Sequence, residues 1–589
     1  MSPPSPRPLD APNVTYLWTQ CLIEELVRNE VDTFFVAPGS RSTPLTVAAA
    51  QHPDARVVLH VDERGTAFAA LGYGRATQRP AGWITTSGTA VANGQPAVVE
   101  ASTDGVPMML LTADRPPELR DTGANQTVDQ VKIFGDYVRW HADVTPPTEK
   151  VDPAYVLTTT NQAVHQSRRP PAGPVHLNCG FRKPLEPVGG DASVSVPGAV
   201  REWATGEAPY TQYPTPVSEP ASADVGALAR AIEGVEEGII VAGRLDTPGA
   251  VKATRRLAEH LGWPLLPDIA SHLRLGAAES PRVAYADLVL TAEPVREKYQ
   301  PQAVLQIGGR FTSKWLRHFL RDSAPDPWAV IRPDPRRVDP DHRITHHVEA
   351  GVAPFADALL SRMGSVPDAS SWRERWLTAN EQVAEIVEGH AQEASLTEPG
   401  VATLLSRDFP SDHALVAASS MPVRDLNRHA STQGLAVPAY ANRGASGIDG
   451  TVATAAGISR GRNSPVTLLI GDLALWHDLN SLALLRNQPV VVVVVNNDGG
   501  GIFHFLPIQE HDDVFEPYFT TPQGRSFEAV ADTFDLAYHR PETLQAFRED
   551  YETACEASGP ALLEVQTERQ ANRRVHAELE QAVSDAITG

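Results

Sequence analysis

The sequence predicts an α/β protein built from three doubly wound, parallel-sheet domains. Three observations lead there. Apolar runs of strand length alternate with segments of helical periodicity along most of the chain. Its 589 residues are too many for one core and suit three domains of ordinary size. The apolar runs at 465–470 and 490–495 are joined by Leu475, Leu479, Leu482, Ala483 and Leu485 at helical spacing, a strand–helix–strand unit with parallel strands.

Taken in order, the Pro-rich start (1–12) reads as a disordered tail, without the apolar core of a signal peptide. In the first domain (13–185), strands are expected at 31–37, 57–61, 83–86 and 106–112, with helices at 43–51, 64–76 and 89–101. Residues 186–222 are rich in Pro, Gly, Ser and acid and read as a linker crossing the surface. A central α/β domain (223–365) has expected strands at 238–242, 288–290, 303–307 and 329–331. An acidic helical segment (366–396), with Trp372 and Trp376 about one turn apart, leads into the third domain (397–589). The first and third domains look like one architecture used twice. There is no short internal repeat.

Composition narrows the function. Apolar residues make up 42% of the chain, as in globular proteins, yet no apolar stretch is long enough to span a bilayer. A formal net charge of −22 disfavours nucleic-acid binding, which needs basic patches. Only six of the 50 basic residues are lysines, a balance that a salt-rich cytoplasm tends to select. Cys21, Cys179 and Cys555 form no metal-ligand spacing, so free thiols and a cytoplasmic location are expected.

The strand–helix–strand unit carries the most informative chemistry. Gly471-Asp472-Leu473 ends the first run and Asn496-Asn497 ends the second, with Asn497 25 residues after Asp472. Both strands finish at one sheet edge, where open α/β sheets bind ligands, so Asp472 and Asn497 emerge side by side. A carboxylate and an amide oxygen suit Mg²⁺, with the Gly499 carbonyl as a third ligand, and the cation shares its oxygens with a phosphate. The glycines around Gly499 let backbone approach a diphosphate. Glu63 stands after a strand at a helix start, where an acid alone stabilises the helix dipole by ~0.3–1 kcal/mol.

The Gly-Asp-x…Asn-Asn pattern resembles the thiamine-diphosphate motif, with Leu473 where many members have Gly. That resemblance gives Glu63 a sharper role: hydrogen-bonding the aminopyrimidine so that the cofactor can ionise. Longer motifs resemble the 2-succinyl-5-enolpyruvyl-6-hydroxy-3-cyclohexene-1-carboxylate synthase family of thiamine-diphosphate decarboxylases and carboligases. They run from Ala37 through Ser40-Arg41 to Leu45, from Leu111 through Arg115 to Gln126, from Asn442-Arg443 to Gly450, and from Gly471 through Asp478 to Asn497. Both outer domains are covered well and the middle one loosely.

The resemblance implies decarboxylation of 2-oxoglutarate and 1,4-addition of the remaining succinyl fragment to isochorismate, in menaquinone biosynthesis. It implies thiamine diphosphate and Mg²⁺, which Mn²⁺ can replace, and a homodimer or homotetramer with active sites between subunits. By the same resemblance Glu63 is catalytic; Glu63, Ile448, Gly471, Asp472, Asn497 and Gly499 bind the cofactor; and Asp472, Asn497 and Gly499 bind the metal. Ser420, Arg424 and Arg443 hold the distal carboxylate of 2-oxoglutarate. Ser40, Arg41, Arg115 and Gln126 orient isochorismate, Lys314 reaches the pocket from the middle domain, and Phe503 forms an apolar wall. Arginine forks suit these substrates, which carry two carboxylates each.

Some family members have a second basic residue just after that lysine; here Trp315 follows Lys314, with Arg317 two positions on. The Arg-rich stretch from Arg332 to Arg337 reads as solvated surface. Three other readings compete. An acetohydroxyacid synthase acting on pyruvate would need no arginine clamp. A flavin-carrying oxidase would call for a Gly-x-Gly-x-x-Gly fingerprint, absent from 223–365. A catalytically dead scaffold is disfavoured by intact Glu63, Asp472 and Asn497.

Overall fold

The computed structural model describes residues 11–188, 196–214, 218–277, 281–364, 371–392, 395–557 and 559–588; ten of the twelve residues read as a disordered tail lie outside these. Three all-parallel sheets carry the fold. The first has six strands in the order Arg56–Leu59, Thr33–Val36, Ala81–Thr85, Met108–Asp114, Pro174–Gly180, Trp140–Val144. The third repeats this order with Ala439–Ala441, Ala414–Ala417, Val466–Gly471, Val490–Asn496, Ala561–Gln566 and Ala537–His539, so one architecture is indeed used twice. Between them in sequence lies a five-stranded sheet: His346–Glu349, Trp328–Arg332, Ala303–Ile307, Gly238–Ala242, Leu265–Pro267. The inner strands are near-continuous apolar runs because helices cover both faces of a parallel sheet. Among the described residues no helix is long and apolar enough to cross a membrane.

By packing, the chain forms two compact units. One comprises Met1–Pro216 with Gly444–Asn463 and Asp478–Leu484; the other comprises Val217–Arg443, Ser464–His477 and Leu485–Gly589. In the first unit, helix Thr451–Arg462 lies tightly on helix Glu63–Thr77. A Cβ on Gly72 would stand 2.1 Å from the Thr454 carbonyl oxygen, and one on Gly457 2.0 Å from that of Ala69. Only glycine permits so close an approach.

Several expectations are corrected. Residues 288–290 are not a strand: they belong to a buried helical turn, Ala286–Val289, and its end. A short run apolar on all sides does not distinguish strand from helix. The strand expected at 57–61 stops at Leu59, and Val61 is 78% exposed. The helix expected at 89–101 is broken between Ala92 and Gln95.

The crossover between the two apolar runs is an α-helix, Asp472–His477, followed by a 3₁₀ segment, Leu479–Leu485. The break falls at Asp478, whose carboxylate accepts the N–H groups of Val452 (2.8 Å) and Ala453 (3.1 Å) at the start of helix Thr451–Arg462. The stretch read as a surface linker includes a helix, Gly198–Thr205, whose Val200, Trp203 and Ala204 join the first core. The Arg332–Arg337 stretch is not all solvated surface, for Arg332 is buried.

Candidate active site

In the first unit, Glu63 opens its helix. Asp62 caps the turn by accepting the Arg64 N–H at 2.9 Å, which leaves the half-buried Glu63 side chain free of capping duty. Asn93, in the break between two helices, lies with Nδ2 3.4 Å from Glu63 Oε2.

The same unit holds a cationic group. Arg41 is buried; its Nη1 donates to the Phe181 carbonyl at 2.8 Å, while its Nε has no protein partner. Burial and the adjacent Arg115 charge both push its pKa down. Arg115 donates from Nη1 to Ser87 Oγ. Ser87 in turn donates to the Gln126 carbonyl at 3.1 Å, and Gln126 Nε2 donates to the Ser87 carbonyl at 2.9 Å. The Asp114 carboxylate acts on Arg41 in the opposite sense but is itself paired with Arg120 at 3.0 Å, so two neighbouring guanidiniums still favour an anion. Ser40 is exposed at the start of the same 3₁₀ turn as Arg41. Ser87, which ties Arg115 to Gln126, was not singled out in the sequence.

Ile448 is 36% exposed on a loop whose backbone is held by a buried acid. Glu100 accepts the N–H groups of Gly444 (2.9 Å), Ala445 (2.6 Å) and Ser446 (3.3 Å), and pairs with Arg75 at 3.2 Å.

In the second unit, Gly471 stands opposite Val495 in register, so the two strands end together. Asp472 is buried; its Oδ1 accepts the Leu473 N–H at 2.8 Å and its Oδ2 accepts the Gly499 N–H at 2.7 Å. Burial raises its pKa to about 6 against the pull of those two N–H groups. Gly499 has φ 134°, and a Cβ there would meet the Thr520 carbonyl at 2.0 Å. Its own carbonyl accepts the Gly501 N–H at 2.9 Å and keeps a second lone pair.

Asn497 is buried, with Nδ2 donating to Glu398 Oε1 at 2.9 Å and Oδ1 without a protein partner. A buried amide oxygen left open beside a buried carboxylate fits an oxygen-seeking divalent cation. Gly471 has nothing within 4 Å of a would-be Cβ, which suits a diphosphate alongside.

The same unit holds a second arginine pair. Ser420 caps helix Met421–His429 at φ 74°, ψ −131°, a strained conformation of the kind that costs ~1–3 kcal/mol and gathers at ligand sites. Its carbonyl accepts Arg424 Nη1. Burial and then the Arg443 charge lower the Arg424 pKa.

Buried Asp268 accepts the N–H groups of Thr312 (2.5 Å) and Ala270 (2.9 Å), and Arg443 acts on it electrostatically. Asp268 thereby anchors the loop before Lys314, an exposed residue opening helix Lys314–Ser323. Arg317 is taken by Asp341 at 2.7 and 2.8 Å, and Trp315 lies under the Arg296 guanidinium, so neither offers a second free cation beside Lys314. Phe503 sits edge-on to Phe519, with centroids 5.4 Å apart. Buried Asp425, His429 and His576 cluster in this unit, with His576 Nε2 3.2 Å from Asp425 Oδ1. The charges of Asp425 and His576 both act on Glu398, whose pKa burial and Asp425 raise.

Comparison with known proteins divides the chain in three along its sequence. Three thiamine pyrophosphate enzyme family models match in succession: the N-terminal binding domain over 18–133, the middle domain over 196–416 and the C-terminal binding domain over 414–565. Three relatives are named 2-succinyl-5-enolpyruvyl-6-hydroxy-3-cyclohexene-1-carboxylate synthase. That of Salinibacter ruber is 67% identical over 98% of both chains. That of Rubrobacter xylanophilus is 54% identical over 96% of this chain and 98% of its own. That of Prosthecochloris aestuarii is 41% identical over 98% of both.

Proposed function

The chain belongs to the 2-succinyl-5-enolpyruvyl-6-hydroxy-3-cyclohexene-1-carboxylate synthase family of thiamine-diphosphate enzymes, and from that premise we propose how its residues divide the reaction. The overall change joins 2-oxoglutarate to isochorismate. The bond from C1 to C2 of 2-oxoglutarate breaks, CO₂ leaves, a new carbon–carbon bond forms to the isochorismate ring, and one proton is taken up. Thiamine diphosphate, when bound, supplies the carbanion chemistry.

Asp472, Asn497 and the Gly499 carbonyl hold Mg²⁺, or Mn²⁺ in its place, against the diphosphate, and Gly471 leaves it room. Glu63 exchanges a hydrogen bond with the aminopyrimidine, and Ile448 packs against the cofactor. Ser420, Arg424 and Arg443 bind the distal carboxylate of 2-oxoglutarate. Ser40, Arg41, Arg115 and Gln126 orient isochorismate, the last two tied to each other by Ser87. Lys314 adds positive charge and Phe503 an apolar wall. The active form is a homodimer or homotetramer in a cytoplasmic setting, with the site completed between subunits.

The observation that carries this reading is the buried, unpartnered Asn497 Oδ1 at the same sheet edge as Asp472. The test mixes purified protein, thiamine diphosphate, Mg²⁺ and 2-oxoglutarate, with and without isochorismate. Isochorismate absorbance should fall only when 2-oxoglutarate is present, and mass spectrometry should find the succinyl adduct. Turnover of pyruvate with isochorismate untouched would instead favour an acetohydroxyacid-type carboligase.

A further inference from the structure

We infer that Glu398 is a positioning residue for the cation: it holds the Asn497 amide so that the oxygen, and not the NH₂, faces the metal position. The inference rests on the reading above that Asp472 and Asn497 ligate a divalent cation. An asparagine amide is nearly symmetric in shape, yet only its oxygen can ligate a cation. Something must therefore choose its orientation.

Glu398 is placed to choose. It opens helix Glu398–Arg407, whose first turn is capped by Thr397, and it is only 3% exposed. Its Oε1 receives Asn497 Nδ2 at 2.9 Å and Thr567 Oγ1 at 2.9 Å. Two donors converge on one oxygen, so that oxygen is the acceptor and the amide must turn its NH₂ inward.

Thr567 is itself fixed, its N–H donating to the Asn496 carbonyl at 3.1 Å. Asn496 is held in turn, since its Nδ2 donates to Glu564 Oε1 at 2.6 Å. Orientation thus passes from buried acids to the ligand, as outer partners do for metal-binding side chains generally. Without the Glu398 acceptor the amide could flip and present its NH₂ to the cation.

The test is Mn²⁺ binding followed by electron paramagnetic resonance at saturating thiamine diphosphate, for the full-length protein and four variants. Wild type should bind Mn²⁺ and Asp472→Asn should lose it. Glu398→Leu, similar in size but without the acceptor, should raise the Mn²⁺ Kd by about 10–100-fold. Its kcat at saturating Mn²⁺ should return toward wild type. Glu398→Gln, which keeps an oxygen acceptor, should restore near-normal affinity, a rescue that a merely space-filling role would not distinguish from leucine.

If Glu398→Leu binds Mn²⁺ like wild type while Asp472→Asn does not, the positioning role is overturned and the metal site stands. If Asp472→Asn binds like wild type, the metal reading falls and takes this inference with it. Should Glu398→Leu fail to fold by circular dichroism, Glu398→Met decides. It likewise removes the acceptor for Asn497 Nδ2, and an unchanged Mn²⁺ Kd there overturns the inference.

Discussion

The Glu100 carboxylate accepts the backbone N–H of Ala445 at 2.6 Å, so a helix beside the first sheet holds the loop that carries Ile448. Gly444 and Ser446 donate to the same side chain, and Arg75 neutralises it. Removing it takes the acceptor from the Gly444, Ala445 and Ser446 N–H groups and one of two carboxylate partners from buried Arg75, which keeps Asp104. Glu100→Ala should therefore cost ~3 kcal/mol or more, on the scale of a broken buried ion pair. It should also weaken thiamine diphosphate binding through a loosened loop. Thermal unfolding and a cofactor titration check both. A variant as stable as wild type would show that the loop holds itself.

Helix Thr451–Arg462 follows that loop, and its crossing with helix Glu63–Thr77 sets where Glu63 and the loop stand within the first unit. The crossing depends on Gly457, where a methyl would meet the Ala69 carbonyl oxygen at 2.0 Å and backbone cannot simply give way. Gly457→Ala should cost ~1–3 kcal/mol by overpacking. Activity should fall more than stability alone explains. The comparison is kcat against residual fold by circular dichroism at a temperature where both proteins are folded.

Much of the fold was legible because parallel sheets write themselves as apolar runs. Gly238–Ala242 and Ala303–Ile307 were read with their observed ends. The same signal misled at Leu288, where burial on every side erased the difference between strand and helix. The Asp472–Asn497 juxtaposition was legible because the strand–helix–strand rule brings strand ends together. The residues behind it were not. Glu398 reaches Asn497 from 99 positions away and Glu100 reaches Ala445 from 345, so no local period or spacing announces either pair. Ser87 was missed for a different reason: a serine in a small-residue turn has no distinctive pattern until Arg115 and Gln126 are folded onto it.

Asp334 predicts a pH effect in the central sheet. Burial pushes its pKa up, but hydrogen bonds and charge from Arg336 and Arg332 outweigh that and hold it well below the ordinary carboxylate range. The folded value lies below the unfolded one, near 3.9. The unfolded chain therefore binds more protons as pH drops below about 4. The stabilisation is present in full above that pH and is lost as pH falls. Asp334→Ala, which strands buried Arg332, should cost ~3 kcal/mol at neutral pH. The gap in unfolding temperature from wild type should shrink between pH 5 and pH 3. A gap independent of pH would mean that the ion pair is not its source.

Glu63→Gln separates acid–base work from binding. Glutamine keeps the size and can still hydrogen-bond, but it cannot carry the carboxylate's charge. Removing a positioned acid or base typically costs ~10²–10⁴-fold in rate. The expected result is a fall in kcat of that order with thiamine diphosphate affinity little changed. A proportional loss of affinity would recast Glu63 as a binding group.

Arg424 and Arg443 should decide which oxo acid is taken. They lie close enough for one charge to depress the pKa of the other, and Ser420 presents its carbonyl to Arg424 from a strained backbone. Such a pair gains most from a carboxylate between the two guanidiniums, which pyruvate's methyl end cannot supply. A bidentate, charge-assisted pair is worth more than a point contact, and lysine does not reproduce the fork. Arg424→Lys should therefore raise KM for 2-oxoglutarate about tenfold or more, equivalent to ~1.4 kcal/mol. Any weak turnover of pyruvate should barely change. Steady-state kinetics on both substrates measures the ratio. If Arg424→Lys and Arg443→Lys leave the preference for 2-oxoglutarate intact, the distal carboxylate is bound elsewhere, and Lys314 becomes the side chain to replace next.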